Sequence, residues 1–165
     1  MGPLLSPLLS SVPKLQHGFT NRTLPVADAA RIELRTLLPK QIHGDKLFWA
    51  IAPAPEVRPE ADAIATSSLS FPIGIQTADC VPILFAALNE ESRPFAILAV
   101  HAGWRGSALG ITAKALSAWI SQCREKERIR AIYAAIGPSI SRDVYEVGAD
   151  VAQNFPADFL RPSKN

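Results

Sequence analysis

The chain has 165 residues, of which 48% are hydrophobic and 19% are charged, and its formal net charge is +2. This length and composition support one domain with a hydrophobic core. The small net charge, without a clustered basic face, excludes the electrostatic pattern of nucleic-acid binding, so no nucleic-acid partner is expected. The two cysteines, Cys80 and Cys123, are too few for a disulfide framework, and a reducing, cytoplasmic location is therefore expected.

The N-terminal segment is apolar but is interrupted by prolines at positions 3, 7 and 13. It is too short for a membrane span and lacks the positive region of a signal peptide, so we expect no membrane partner. Residues 1–16 are interpreted as a flexible lead-in, and residues 17–165 as a single domain.

Apolar runs of strand length follow along the chain, and turn signals separate them. They predict strands at residues 47–52, 61–66, 71 to about Thr77, 81–88, 94–100 and 129–137. The last two runs are typical of buried strands. Between them, Ser107 is a suitable N-cap, and one apolar helical face is formed by Ile111, Ala115, Leu116, Trp119, Ile120 and Cys123. This order of strand, helix and strand predicts an α/β or α+β fold with mixed sheets.

The motif HAGWRG, residues 101–106, directly follows the predicted strand at 94–100. Sites in layered α/β proteins open at the carboxyl ends of strands, which favours His101 as a metal ligand or proton carrier. The N-terminus of the following helix and the Arg105 guanidinium suit an anion such as phosphate, and Trp104 offers a flat face for a ring. The alternative is a capped turn in which Trp104 lies in the core and His101 is simply hydrogen-bonded.

Two further motifs carry residue types that bind metals: QTADC at 76–80 and QIHG at 41–44. Cys80 is interpreted as a thiolate metal ligand or a nucleophile, although a buried structural cysteine is the commoner case. His43, Cys80 and His101 make a His₂Cys set, which suits zinc and also copper. Because they are far apart in sequence, the fold has to bring them together. Three protein ligands leave a fourth position open, as in catalytic zinc sites.

Other polar residues are candidates for the same site, and each has a simpler alternative. His17 is a candidate for the mouth of the site, and an exposed position without a function is the alternative. Ser139 and Ser141 follow a predicted buried strand and either point into the site or form a polar turn. Tyr145 and Glu146 either contact a ligand or begin a helix.

Five motifs occur in a characteristic order: QIHG, ADAIAT, QTADCVPIL, AVHAGWRG and IGPSISRDVYEVG. From about residue 17 to about residue 155, the chain resembles the multicopper polyphenol oxidase, or laccase-domain, family, whose members are also described as zinc-dependent purine nucleoside phosphorylases. The resemblance implies an α+β fold, a layered α-β-β-α sandwich with mixed sheets related to cysteine hydrolases. It also implies a metal site formed by His43, Cys80 and His101, with zinc or, under the older label, copper as the cofactor.

The resemblance further implies phosphorolysis of adenosine, inosine, guanosine and methylthioadenosine, with adenosine deamination as a companion activity. The partners are then a purine nucleoside and phosphate. We expect Asp79, beside Cys80, to move a proton or orient a ligand, and Arg105 to hold phosphate as a second catalytic residue. Gln41 and Trp104 are expected to bind the substrate together with Arg105.

Three alternatives stay open at this point. One is a metal-free cysteine hydrolase with Cys80 as nucleophile and His101 as base, another is a copper polyphenol oxidase, and the third is an inactive metal-binding remnant. Two departures from the family pattern bear on the remnant: residues 23–40 replace a longer segment, and nothing matches the family's Phe-Phe-Ser-Tyr-Arg type ending. We therefore expect a domain that is incomplete at its C-terminus and lacks part of a substrate wall.

Overall fold

The computed structural model describes residues 3–20, 36–53 and 57–162. These residues form the strands β1 (Leu47–Trp49), β2 (Ala63–Thr66), β3 (Val81–Leu88), β4 (Pro94–Ala102) and β5 (Ala131–Ile136). The α-helices are α1 (Pro7–Ser10), α2 (Trp104–Ala108), α3 (Ile111–Arg124) and α4 (Ala149–Ala152), and short 3₁₀ turns lie at Arg142–Val144 and Ala157–Phe159. In this part of the chain, no helix is long and apolar enough to cross a membrane.

The strands form one mixed sheet in the order β1-β2-β4-β3-β5. β1 and β2 are parallel, and the other neighbouring strands are antiparallel. The α+β class with mixed strand pairing is therefore confirmed. Within the described ranges the strands make a single sheet, so these residues do not supply the second sheet of the expected sandwich. The shortened segment expected at 23–40 falls largely on residues 21–35, which lie outside the described residues.

Helix α3 covers one face of the sheet with the apolar side that its sequence predicts. Its side chains pack on alternate residues of the central strands, since successive strand residues point to opposite faces. Phe85 of β3 and Leu98 and Val100 of β4 belong to this core. The fully buried helix residues are Ile111, Ala115, Trp119 and Cys123, with Leu116 and Ile120 partly buried beside them.

The start of the helical region differs from the prediction. Ser107 is not an N-cap but lies inside the short helix α2, which has Gly103 as its N-cap. The helical region is then interrupted at Gly110, whose φ of 78° lies in the left-handed region that glycine adopts readily. Apolar periodicity alone does not reveal this break, because it lies before the first buried position of α3.

Part of the segment expected to be a flexible lead-in packs on the sheet, through Leu9 and Val12. Ser6 caps α1, and its hydroxyl oxygen accepts a hydrogen bond from the Leu9 N–H. Leu9 and Val12 are buried beside Ala86 and Ala135, on the face of the sheet opposite α3. Proline is tolerated in the first turn of a helix, so the interrupted pattern still permits a short packed helix.

The strand predicted from residue 71 to about Thr77 is wrong. Ile73 makes only an isolated bridge to Leu37, and the segment continues as an irregular loop. Backbone bonds from Leu37 N–H to the Pro72 carbonyl and from Gly74 N–H to the Leu37 carbonyl hold it in place. Beyond this bridge the Gln76 backbone bonds to the Gln41 side chain instead of to a neighbouring strand, so the apolar alternation does not continue as a ladder.

Strand β5 forms as predicted, but it is not a buried strand. It pairs with β3 and stands at the end of the described sheet, and Ile136 is 72% exposed. The continuous apolar run therefore predicts the strand correctly and its burial wrongly.

Candidate metal centre

Antiparallel pairing brings distant residues to one edge of the sheet. Cys80 directly precedes β3, and His101 lies near the end of β4. Because β3 and β4 are antiparallel, with Val81 paired to Ala102, the start of one strand lies beside the end of the other. His43 comes from the loop before β1 and completes the group.

The three predicted metal ligands form a cluster. One ligand atom each from His43, Cys80 and His101 lies within 4.8 Å of the others, and the two imidazole rings meet edge to face. His101 is buried, Cys80 is half-buried and His43 is exposed. Metal–ligand distances of about 2.0–2.3 Å require the widest separation to close by roughly 1 Å, a movement that the exposed His43 side chain can make.

Gly103 lies directly against this cluster. A Cβ atom at this position would stand 3.0 Å from His43 Nδ1 and 3.2 Å from Cys80 Sγ. The space beside the ligand atoms therefore exists because residue 103 has no side chain. A His₂Cys donor set around such a space fits a soft or borderline cation such as zinc or copper.

Asp62 is a site residue that the sequence analysis missed, although it lies in the quoted motif ADAIAT. It is fully buried, and its Oδ1 lies 2.8 Å from His101 Nδ1. Burial raises the pKa of the Asp62 carboxyl, but hydrogen bonds from His101 and from backbone N–H groups of Gly44, Ile42 and His43 outweigh burial and hold this pKa below its ordinary value. Asp62 is therefore ionised at neutral pH.

The strand pairing is the signal that would have revealed this position. Strand β2 pairs antiparallel with β4, with Ala63 opposite Val100, and this register places Asp62 opposite His101.

The surroundings of Cys80 disfavour the thiolate form of its side chain. Burial raises its pKa, and the negative charges of Asp79 and Asp62 raise it further. A bound cation offsets these effects, because coordination deprotonates a thiol. This electrostatic setting favours the metal-ligand interpretation of Cys80 over that of a free nucleophile, which needs a lowered pKa.

The two cysteines provide a prediction about chemical modification. We expect iodoacetamide to alkylate half-buried Cys80 in the metal-free protein and saturating zinc to protect it. Cys123 should stay unmodified with or without zinc, since it is fully buried and burial raises its pKa to about 11. Peptide mass spectrometry after timed alkylation measures both sites. An alkylation rate of Cys80 that zinc does not change would contradict its role as a ligand.

A cavity of about 800 Å³ opens beside the cluster. Asp79, Cys80 and Trp104 line it on the side of the metal ligands, and Tyr145 and Glu146 line it as well. Its other walls include apolar residues of the C-terminal segment, Val151, Phe155 and Phe159 among them. Concave sites of this size that combine apolar walls with a few polar groups are typical of small-molecule binding.

The other predicted substrate-binding residues, Arg105 and Gln41, do not line this cavity. The Arg105 side chain is exposed, and its guanidinium carbon lies 4.4 Å from the centre of the Trp104 ring. Gln41 bonds to the backbone of Gln76, donating to its carbonyl at 2.8 Å and accepting from its N–H at 2.7 Å. Gln41 and Gln76 line a separate, smaller cavity of about 400 Å³. The structure therefore does not bring Gln41 or Arg105 into the wall of the larger cavity.

The weaker candidates also have defined positions. His17 Nε2 accepts a hydrogen bond of 2.9 Å from the Ser6 N–H and so fixes the N-terminal segment. In the turn that contains Ser139 and Ser141, it is Ile140 that lines the larger cavity. The Ile140 N–H also donates to the Asp79 carbonyl at 3.0 Å, which ties this turn to the loop that carries Cys80.

A sequence model of the multi-copper polyphenol oxidoreductase laccase family matches residues 16–164. The chain belongs to this family. Among its curated relatives, a purine nucleoside phosphorylase of Deinococcus radiodurans is 37% identical over 117 residues, which cover 71% of this chain and 42% of the relative. An adenosine deaminase, RL5, from an unknown prokaryotic organism is 40% identical over 94 residues, which cover 57% of this chain and 33% of the relative.

A similar solved structure supports the fold. The crystal structure of YlmD from Geobacillus stearothermophilus matches with a TM-score of 0.61 and 27% sequence identity, covering 93% of this chain and 58% of that one. The chain spans less than half the length of the two curated relatives described above.

Proposed function

We propose that this chain is a zinc-dependent purine nucleoside phosphorylase with adenosine deamination as a companion activity. The observation that carries the proposal is the His43–Cys80–His101 cluster, which borders a cavity large enough for a nucleoside. The phosphorylase and deaminase names of family relatives support the substrate class and the enzyme class.

In this proposal, His43, Cys80 and His101 hold the zinc ion. When bound, zinc supplies Lewis acidity that activates water or a substrate oxygen near neutral pH. Three protein ligands would leave a fourth coordination position of zinc open, and because Cys80 lines the cavity, a bound substrate would lie close to the ion. The apolar cavity wall excludes water from part of the bound nucleoside and strengthens polar interactions inside.

Asp79 is the proposed proton carrier. It stands beside Cys80 and lines the same cavity, so its carboxylate can reach a bound substrate. In phosphorolysis the bond between ribose C1′ and the purine nitrogen breaks, a bond between C1′ and a phosphate oxygen forms, and the leaving base takes up a proton. A carboxylate that takes a proton from the attacking dihydrogen phosphate and passes it to the leaving base contributes to the rate, first as a general base and then as a general acid.

Phosphate needs a cation, and the structure offers more than one. Arg105 was the expected residue, but its guanidinium stacks on Trp104 outside the cavity wall, whereas Arg142 and Arg161 line the cavity. Arg161 lies 3.6 Å from Asp143 and is partly neutralised by it. Arg105 remains the proposed phosphate ligand through a rotation off the Trp104 ring, and Arg142 is the alternative.

The test is base release from inosine by the zinc-loaded protein, with and without phosphate. We expect hypoxanthine and ribose 1-phosphate in equal amounts only when phosphate is present, and inosine plus ammonia from adenosine. Cys80→Ala should lose both activities, while the matched control Cys123→Ala should keep them. Zinc binding without any turnover would contradict the proposal and favour the inactive remnant.

The metal-free hydrolase has less support, because the raised pKa of the Cys80 thiol disfavours its nucleophilic form. Copper remains compatible with the His₂Cys donor set. Elemental analysis of the purified protein, combined with activity after reconstitution with either metal, distinguishes zinc from copper.

A further inference from the structure

One carboxylate contacts both histidines of the cluster. Asp62 Oδ1 accepts a hydrogen bond from the His43 backbone N–H at 2.9 Å and from His101 Nδ1 at 2.8 Å. The same oxygen therefore sets the distance between the backbone of one ligand residue and the ring of the other. The backbone N–H of His101 also donates a hydrogen bond of 2.8 Å to the backbone carbonyl of Asp62, which fixes the two residues relative to each other a second time.

The other carboxylate oxygen holds the loop that carries His43. Asp62 Oδ2 accepts from the Gly44 N–H at 2.7 Å and from the Ile42 N–H at 3.2 Å. Three successive N–H groups thus converge on one buried anion, an arrangement known as a nest. These bonds help to hold His43 at a φ of 58°, in the left-handed region that non-glycine residues adopt infrequently.

The hydrogen bond to Asp62 also determines which nitrogen of His101 can bind a metal. An ionised carboxylate only accepts hydrogen bonds, so the proton of neutral His101 lies on Nδ1. The Nε2 lone pair is then available for a cation. A carboxylate behind a ligating histidine is known to orient the ring and raise its basicity as a ligand.

We propose that Asp62 is a positioning residue for the metal site, which places both histidine ligands before a metal binds. It does so through the His101 ring, through the backbone of His43 and through the nest at residues 42–44. This inference rests on the proposed metal site, but it does not depend on nucleoside turnover.

The variant Asp62→Asn tests the proposal with almost no change in shape. The amide has one acceptor oxygen, so its NH₂ group must face either the nest or His101, and bonds are lost in both orientations. We expect zinc affinity, measured by competition with a chromophoric chelator, to fall by about 10–100-fold. The matched control is Asp45→Asn, which changes an aspartate of the same loop whose partner is Lys114, and should keep the parent affinity.

A measurement on the unaltered chain keeps the test independent of whether Asp62→Asn folds. ¹⁵N NMR of the metal-free protein at alkaline pH should show the Nδ1-protonated form of neutral His101, the form that leaves Nε2 available to a metal. An Nε2-protonated His101, or a zinc affinity of folded Asp62→Asn equal to that of the parent, would overturn the proposal. Zinc binding by the parent without nucleoside turnover would contradict the proposed function and leave the positioning role intact, whereas a parent that bound no zinc would overturn both.

Discussion

Replacing His101 with alanine is expected to abolish tight zinc binding. His101 is the buried member of the cluster, and its Nδ1 is already bonded to Asp62, so no neighbouring side chain takes over its position. Zinc at 100 times its dissociation constant stabilises a folded protein by about 2.7 kcal/mol. For a domain of this size, that stabilisation raises the melting temperature of the parent by about 5–10 °C. The His101→Ala variant should show no such rise, and calorimetry with and without zinc measures the difference.

His17→Ala is the matched control for this prediction. His17 is a histidine outside the cluster and contacts the N-terminal segment through Ser6, so its removal should leave the zinc-dependent rise intact. Full zinc occupancy in His101→Ala, measured by elemental analysis after gel filtration, would show that His101 is not a ligand.

Adding a single methyl group at Gly103 is expected to weaken zinc binding without removing any ligand. The new Cβ would lie 3.0 Å from His43 Nδ1 and 3.2 Å from Cys80 Sγ, so one of these groups must move. We expect Gly103→Ala to lower zinc affinity by about 10–100-fold, comparable to the loss of an outer contact of a metal ligand. The φ of Gly103 is −71°, which alanine adopts without strain. Stability of the metal-free protein should therefore change by no more than about 1 kcal/mol.

Gly44→Ala provides the matched control for Gly103→Ala. A Cβ at residue 44 would meet its nearest neighbour at 3.6 Å, an ordinary contact, and its N–H would still donate to Asp62. Zinc affinity, measured on both variants by competition with a chelator, distinguishes a local clash at residue 103 from a general effect of replacing a glycine. Equal zinc affinities for the two variants would contradict the role assigned to the space beside Gly103.

The ligand residues were predictable because their chemistry is recognisable without a fold. His43, Cys80 and His101 are the residue types that bind zinc or copper, and two of them adjoin apolar runs that do form strands. Their assembly then follows from the antiparallel pairing of β3 with β4. Strand pairing itself is a long-range property, so sequence spacing alone indicates the ligand set but not its geometry.

Asp62 was missed because its role depends on what lies opposite it. In the sequence it is one acidic residue at the start of a short apolar run, and acidic residues are usually exposed. Only the register of β2 against β4 places it behind His101. Gln41 was expected to bind the substrate, and the structure shows its side chain bonded to the backbone of Gln76, so its part in substrate binding stays a prediction.

The fold predictions failed where local pattern and tertiary context disagree. The alternation near Ile73 is that of a strand, but the segment pairs at one isolated bridge only, and the next backbone bonds go to the Gln41 side chain, so it stays a loop. The run that forms β5 is apolar throughout, yet in the described sheet it lies at the edge with Ile136 exposed. Burial depends on which elements cover a strand, and a single sequence does not contain that information.

X-ray absorption at the zinc edge of the zinc-loaded chain tests the central claim most directly. The account predicts one sulfur neighbour at about 2.3 Å and two imidazole nitrogens at about 2.0–2.1 Å. In Cys80→Ser the sulfur contribution should disappear, while in Cys123→Ser it should remain. A zinc environment without sulfur in the unaltered chain would contradict the assignment of Cys80, His43 and His101 as the metal site.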